Sequence, residues 1–232
     1  MNAALARIAA AGGAFVTGTD TGCGKTEVSV GLVAALVGAG LRVAVLKPVA
    51  SGAEPDRNGE LRNDDAERLR AVANVDADPA AVNPYCFAPP IAPHLAAQAL
   101  GVSIRFGNVL AALAALRARA DVVIVEGAGG WAVPLGEDGD LGALALRIGL
   151  PVVLVVGLRL GCISHARLTA RAVVAEGADL IGWVANEVEP ALPALEGNLA
   201  TLDRMLPAPR LARVPYGAAG FPDRLAAAWS AD

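Results

Sequence analysis

Several kinds of residue are scarce in this chain, and each scarcity narrows what it can be. Aromatic residues make up 4% of the 232 residues, so the core has to be built from aliphatic side chains, chiefly alanine and valine. The three cysteines, Cys23, Cys86 and Cys162, lie far apart and are odd in number, which excludes a disulfide framework and a paired-cysteine metal motif. The two histidines, His94 and His165, are too few for a histidine metal cluster. No apolar run reaches the roughly 18–20 uncharged residues of a membrane span. The longest, Ile148 to Leu158, is interrupted by Pro151 and Gly157 and reads as a buried strand. Basic blocks are missing, and the formal charge is −4, which argues against nucleic acid as a partner. The segment Met1 to Gly13 holds Arg7 as its only basic residue and no hydrophobic stretch followed by a cleavage site. No signal peptide is expected there, and a cytoplasmic location is.

What the chain has in quantity is apolar residues, 55% of the total, at a length suited to one large domain over residues 1–232. Short apolar runs alternate with helical stretches. Strands are expected at Ala14–Thr17, Arg42–Leu46, Asp121–Val125, Pro151–Val156, Leu180–Ala185 and Leu211–Val214. Helices are expected at Gly24–Gly40, Asn63–Ala73, Ser103–Arg119, Ser164–Glu176 and Pro193–Met205, with a proline-rich connection at Pro84–Pro93. Two strands read VVIV and VVLVV, apolar at every position, so both of their faces must be covered. The expected class is α/β: a doubly wound, mainly parallel sheet with helices on both faces, of the P-loop NTPase type, and ligands at the C-terminal ends of the strands.

The strongest motif is Gly18-Thr19-Asp20-Thr21-Gly22-Cys23-Gly24-Lys25-Thr26, which follows a strand and opens a helix. In such a loop the backbone N–H groups cradle phosphate oxygens, and the helix N-terminus adds partial positive charge. Lys25 would reach the β and γ phosphates, and the Thr26 hydroxyl would be a Mg²⁺ ligand. Five residues separate Gly18 from Gly24, where the common spacing is four. Cys23 reads as a small loop residue, with no base nearby to make it a nucleophile.

Glu126 ends a buried strand and begins Gly127-Ala128-Gly129-Gly130, so it points at the phosphate crevice as a magnesium ligand, or else accepts from the N–H groups of its own loop. Asp65, taken by itself, reads as an exposed helix cap. Lys47 ends a strand before Pro48. It is either a surface lysine or a second cation beside Lys25, suited to a site where two anions meet.

These motifs occur together in an order that resembles the dethiobiotin synthetase family. The resemblance is carried by FVTGTDT and GKT within Phe15–Thr26, KPVASG at Lys47–Gly52, the L-R-N and D-A of Leu61–Ala66, and VNPY at Val82–Tyr85. It continues through VEGAGGW at Val125–Trp131, the segments within Leu150–Ile163, and GWVAN at Gly182–Asn186. The family shares the five-residue loop spacing.

The resemblance implies an enzyme that uses ATP and CO₂ to close a cyclic urea on 7,8-diaminononanoate, through a carbamate whose oxygen attacks the γ-phosphate. It implies Lys25 and Lys47 as catalytic cations and Thr26, Asp65 and Glu126 as Mg²⁺ ligands. Nucleotide contacts fall to Gly22, Cys23, Gly24, Lys25, Thr26 and Glu27, to Asp65, and to Glu126, Gly127, Ala128 and Gly129. Asn186 would read the adenine edge, with Pro215, Tyr216 and Gly217 in a late adenine-side loop. Thr19 and Ser51 would meet the diamine. Gly161, Cys162, Ile163 and Ser164 would hold its carboxylate across a homodimer interface, although serine stands at 164 where the family often has asparagine. Trp131, Trp183 and Trp229 are expected to be packing residues. Two rival readings remain: a ParA/MinD-like ATPase switch, and another P-loop amide-forming synthetase. Against the first, the early loop lacks an added lysine and the C-terminus is no basic amphipathic helix. Against the second, the chain is too short for an added glutaminase domain.

Overall fold

A computed structural model describes residues 2–218 and 222–230. The segment after Tyr216, where the resemblance is weakest, therefore lies partly outside the described residues. Six strands form the main sheet: β1 (Gly13–Gly18), β2 (Val43–Leu46), β3 (Val122–Glu126), β4 (Val152–Leu158), β5 (Leu180–Glu187) and β6 (Arg210–Val214). Their order is β6-β5-β4-β1-β3-β2, and every pairing between neighbours is parallel.

Strand residues alternate between two cores, as two-sided burial demands. Ala14, Val16, Val43, Val45, Ile124, Val153 and Val155 face one cluster. Phe15, Ala44, Leu46, Val123 and Val125 face the opposite one, and Leu154, Val156 and Trp183 a third.

Helices cover both faces. They are α1 (Ala3–Ala10), α2 (Lys25–Gly38), α3 (Asp64–Val72), α4 (Pro79–Val82), α5 (Pro93–Ala99), α6 (Phe106–Arg117), α7 (Leu141–Ile148), α8 (Cys162–Ala175), α9 (Leu195–Met205) and α10 (Pro222–Ser230). No helix among the described residues is long and apolar enough to cross a membrane.

The expected strands are all present, and the differences are at boundaries and in short elements. Helices α1, α4, α5, α7 and α10 lie in segments given no element from the sequence, and the Pro84–Pro93 connection contains a short strand at Tyr85–Phe87, paired with Val49–Ser51. Helix α2 starts at Lys25 and not Gly24, because Gly24 is left-handed at φ +87° and serves as its N-cap. Helix α8 starts two residues early, at Cys162, for the same reason: Gly161 is its N-cap at φ +97°. The three tryptophans are packing residues, each no more than 3% exposed.

The chain passes from β1 out to β2, back to β3 beside β1, and then across β1 to β4. The strand order thus reverses at β1, and the C-terminal ends of β1, β3 and β4 open onto the crevice where such sheets bind ligands.

Candidate active site

The phosphate loop leaves β1 at Gly18 and enters α2 at Lys25. Its turn needs left-handed backbone at Gly22 (φ +77°) and Gly24 (φ +87°), which glycine adopts without penalty. Helix α2 has no side-chain cap, so the N–H groups of its first turn remain for an anion. The thiol of Cys23 is fully buried beneath the loop: a Cβ on Gly18 would lie 2.3 Å from its Sγ. Burial pushes this thiol up from its ordinary pKa, the opposite of what a nucleophile needs. The Cys23 carbonyl accepts a hydrogen bond from Asn186 Nδ2 at 2.9 Å, which ties the loop to the end of β5. The Asn186 side-chain oxygen is left for a ligand.

Three charged side chains from three elements meet beside the loop. Glu126, the last residue of β3, is 0% exposed, and Lys47, directly after β2, is 3% exposed. Lys47 Nζ lies 2.5 Å from Glu126 Oε1 and 2.9 Å from Asp65 Oδ2. The Thr26 hydroxyl donates to the same Glu126 oxygen at 3.0 Å. Burial would push the Lys47 ammonium down, but attraction to Glu126 and then Asp65 outweighs it and holds the pKa above the ordinary lysine value. Burial would raise the Asp65 carboxyl, but Lys47, with help from the Thr26 hydroxyl and Lys25, holds it below the usual range. Glu126 Oε2 is buried and has no hydrogen-bond partner.

The backbone keeps Lys47 in place. Its N–H donates to the Val82 carbonyl at 2.8 Å, and its carbonyl accepts from Asn83 Nδ2 at 2.7 Å. Asp65 is not the cap of α3. Asn63 is, accepting from the Ala66 N–H at 3.3 Å, and Asp65 is free in the first turn to face Lys47. Lys25 Nζ donates to the Asp20 carbonyl at 3.0 Å.

These groups line a cleft of about 870 Å³. Gly22, Gly24, Lys25, Thr26 and Glu27 form its floor, with Lys47, Ser51 and Asp65 beside them. Ala128 and Gly129 flank one side, and Asn186 with Pro215, Tyr216 and Gly217 closes one end. Glu126 and Gly127 sit beneath the surface: a Cβ on Gly127 would come within 2.8 Å of Leu141. Thr19 is outside the lining, its hydroxyl donating to Asp20, which is ion-paired with Arg159. Gly161, Cys162, Ile163 and Ser164 are outside it as well. They make the start of α8, and the Cys162 side chain points into the core at 2% exposure.

Sequence reasoning missed other lining residues: Thr21, Ala50, Asn63, Arg68, the Pro90–Pro93 segment, Val133, Glu187 with Val188, and Val214. Arg68 had a signal, since it lies three residues after Asp65 on a helix and so shares its face. The Pro90–Pro93 wall had none, because loop closure over the cleft leaves no local periodicity.

The chain matches an AAA domain family over residues 13–219. Curated relatives carry the name ATP-dependent dethiobiotin synthetase BioD. The one from Pseudomonas aeruginosa (strain LESB58) is 53% identical over 202 residues, covering 87% of this chain and 88% of the relative. Those from Ralstonia nicotianae and Xanthomonas axonopodis pv. citri are 50% and 48% identical, covering 87% and 90% of their own lengths and 87% of this chain. Among solved structures, a ParA family ATPase from Chlorobium tepidum TLS aligns with TM-score 0.56 at 14% identity, covering 94% of this chain and 90% of its own. The septum site-determining protein MinD from Pyrococcus horikoshii OT3, complexed with Mg-ADP, aligns with TM-score 0.51 at 16% identity, covering 93% of this chain and 85% of its own. At such identities these two show the P-loop fold alone. The relatives at about half identity over most of both chains show more: the chain belongs to the ATP-dependent dethiobiotin synthetase family.

Proposed function

We propose that this chain is the ATP-dependent ligase that joins CO₂ to 7,8-diaminononanoate and closes the cyclic urea of dethiobiotin, releasing ADP and phosphate, as a cytoplasmic step of biotin biosynthesis. The observation that carries the reading is the convergence of Lys25, Lys47, Asp65 and Thr26 in one cleft at the C-terminal edge of the sheet, with Glu126 buried beneath it and bonded to both Lys47 and Thr26.

A carbamate and a triphosphate are both anionic, and bringing them together is the electrostatic difficulty of the reaction. Lys25 and Lys47 offset that repulsion and stabilise charge on the transferring phosphoryl group. The α2 amides hold the phosphates. Asn186, its Nδ2 fixed on the Cys23 carbonyl, offers its oxygen to an exocyclic amino group such as that of adenine. Residues 215–217 close the base end, and Thr19 and Ser51 are assigned to the diamine.

Mg²⁺ fits the donors present. The orphaned Glu126 Oε2 is a buried oxygen awaiting a partner, with the Thr26 hydroxyl on the same carboxylate and Asp65 joined to it through Lys47. Among the described residues no group of three His, Cys, Asp or Glu side chains could hold a metal without further ligands. The fit is to a cation that shares its ligands with nucleotide phosphates and water, as magnesium does. When bound, it supplies neutralisation of phosphate charge. Thr26, Asp65 and Glu126 are its assigned protein ligands.

We assign the whole chain to one domain acting as a homodimer. In support, Gly161–Ser164 lie outside the cleft of their own chain, and Leu160 just before them and Leu168 further along α8 are 95% and 61% exposed, apolar surface that a second copy would cover.

The test is release of ADP and cyclic urea by purified protein given ATP, Mg²⁺, bicarbonate and 7,8-diaminononanoate, with each omitted in turn. Dependence on all four is expected. ATP hydrolysis undiminished without diamine would sink the ligase reading.

A further inference from the structure

We propose that Arg68 is a positioning residue for the metal-binding Asp65, acting through an ion pair with Glu27 that clamps α3 onto the start of α2. This rests on the functional reading above.

One charged rung runs between these helices. Thr26 and Glu27 are consecutive on the first turn of α2, and Asp65 and Arg68 stand three apart on one face of α3. Arg68 Nη2 lies 2.7 Å from both carboxylate oxygens of Glu27, while the Thr26 hydroxyl donates to Glu126 and Asp65 pairs with Lys47. Both partners of the rung line the cleft, with side chains 30% and 19% exposed. The pair is therefore partly withdrawn from water, where a charge-assisted bond holds its geometry better than a surface pair does.

The clamp matters because Asp65 has little else to hold it. Helix α3 is short, nine residues, and the Asp65 side chain is 42% exposed. Its one ion-pair partner among the described residues, Lys47, is itself shared with Glu126. Lys47 is a poor anchor if it serves the transferring phosphoryl group. Arg68, one turn along the same helix, fixes the position of α3 relative to the phosphate loop without competing for the metal's ligands. An arginine suits the place, since it stays charged at all relevant pH values and meets a carboxylate with a planar fork.

The experiment measures ADP binding by calorimetry, with and without Mg²⁺, for wild type, Arg68→Ala and Arg68→Lys. Thermal melting of each variant checks its fold. Direct partners of metal ligands are worth about 10–100-fold in metal affinity, and Arg68 acts one contact further out. Arg68→Ala should therefore lose about fivefold of the Mg²⁺-dependent gain in ADP affinity, while Mg²⁺-free binding changes by less than about twofold. Arg68→Lys, which keeps a cation facing Glu27, should regain part of that loss. Equal losses with and without Mg²⁺ would overturn the proposal by showing that Arg68 contacts phosphate directly. An unchanged Mg²⁺ gain in Arg68→Ala would overturn it too. Failure of the ligase reading would show separately, as wild type that binds MgADP but makes no cyclic urea.

Discussion

The ammonium of Lys47 and the carboxylate of Glu126 form a buried pair 2.5 Å apart, with Lys47 4% and Glu126 0% exposed at their side chains. A pair of this kind is weak evidence for stability, because desolvation offsets most of the Coulomb attraction. Its placement argues for chemistry instead. The same glutamate oxygen also accepts from Thr26, the residue that follows the phosphate-loop lysine.

Lys47→Ala is expected to lower diamine-dependent turnover by about 10²–10³, the usual loss when one preorganised charge-stabilising donor is removed. It should also lower the melting temperature, because truncating one partner leaves Glu126 buried without its counter-charge. ADP affinity should survive within a few fold, since the α2 amides and Lys25 are untouched. Turnover near the wild-type value in a folded variant would remove Lys47 from the mechanism.

The pair Lys47–Asp65 gives a pH dependence of fixed sign. Asp65 is held below its ordinary pKa of about 3.9, so its stabilising contribution is complete above that value and is lost as pH falls through the lowered native pKa. Lys47 is held above about 10.4, so its contribution is complete below that value and is lost in stronger alkali. The melting temperature of wild type should therefore exceed that of Asp65→Asn by a constant margin from about pH 5 to pH 9, shrinking below about pH 4. A margin that grows in acid would contradict the assignment. With Asp65 42% exposed, solvent screening keeps the margin small.

Much of this site was legible because it is encoded locally. Gly22, Gly24, Lys25 and Thr26 announce a strand–loop–helix phosphate site through backbone geometry alone, and VVIV and VVLVV announce a two-sided sheet. Helix α7 was legible and missed: Asp140 caps it, accepting from the Ala143 N–H at 2.8 Å, and Gly149 ends it at φ +69°. Helix α10 was legible and missed as well: Pro222 opens it, Asp223 stands in its first turn, and Leu225 and Trp229 lie four apart on one buried face. What it packs on was not legible, since Trp229 is buried against α2, 201 residues away in sequence, where its indole N–H meets the Val28 carbonyl. The pairs Arg68–Glu27 and Asn83–Lys47 join segments 41 and 36 residues apart. Such closeness is a product of the folded sheet order and leaves no trace in spacing.

Glu126→Gln keeps the size of the side chain and removes its charge. The variant should fold, bind ADP without Mg²⁺ about as well as wild type, and lose most of the Mg²⁺-dependent gain. Turnover should fall by about 10²–10³ at saturating ATP, because the lost charge acts where phosphoryl charge develops. A full Mg²⁺ gain in calorimetry would show that Glu126 is not a metal ligand and that its orphaned Oε2 has another explanation.

Gly24 and Asn186 provide a test of why the loop has its sequence. An alanine at 24 would meet two separate costs. The left-handed backbone at φ +87° penalises any side chain by roughly 1–2 kcal/mol. The new Cβ would also sit 1.9 Å from Asn186 Nδ2, so that amide has to leave its bond to the Cys23 carbonyl. Gly24→Ala should therefore weaken ADP binding by more than about 100-fold, beyond the backbone penalty alone. In an Asn186→Ala background the collision is gone and only the backbone cost remains, so adding Gly24→Ala should cost about tenfold. The two substitutions should thus be strongly non-additive in a double-mutant cycle read by calorimetry, as residues in contact are. Additive losses would mean that Asn186 does not brace the loop.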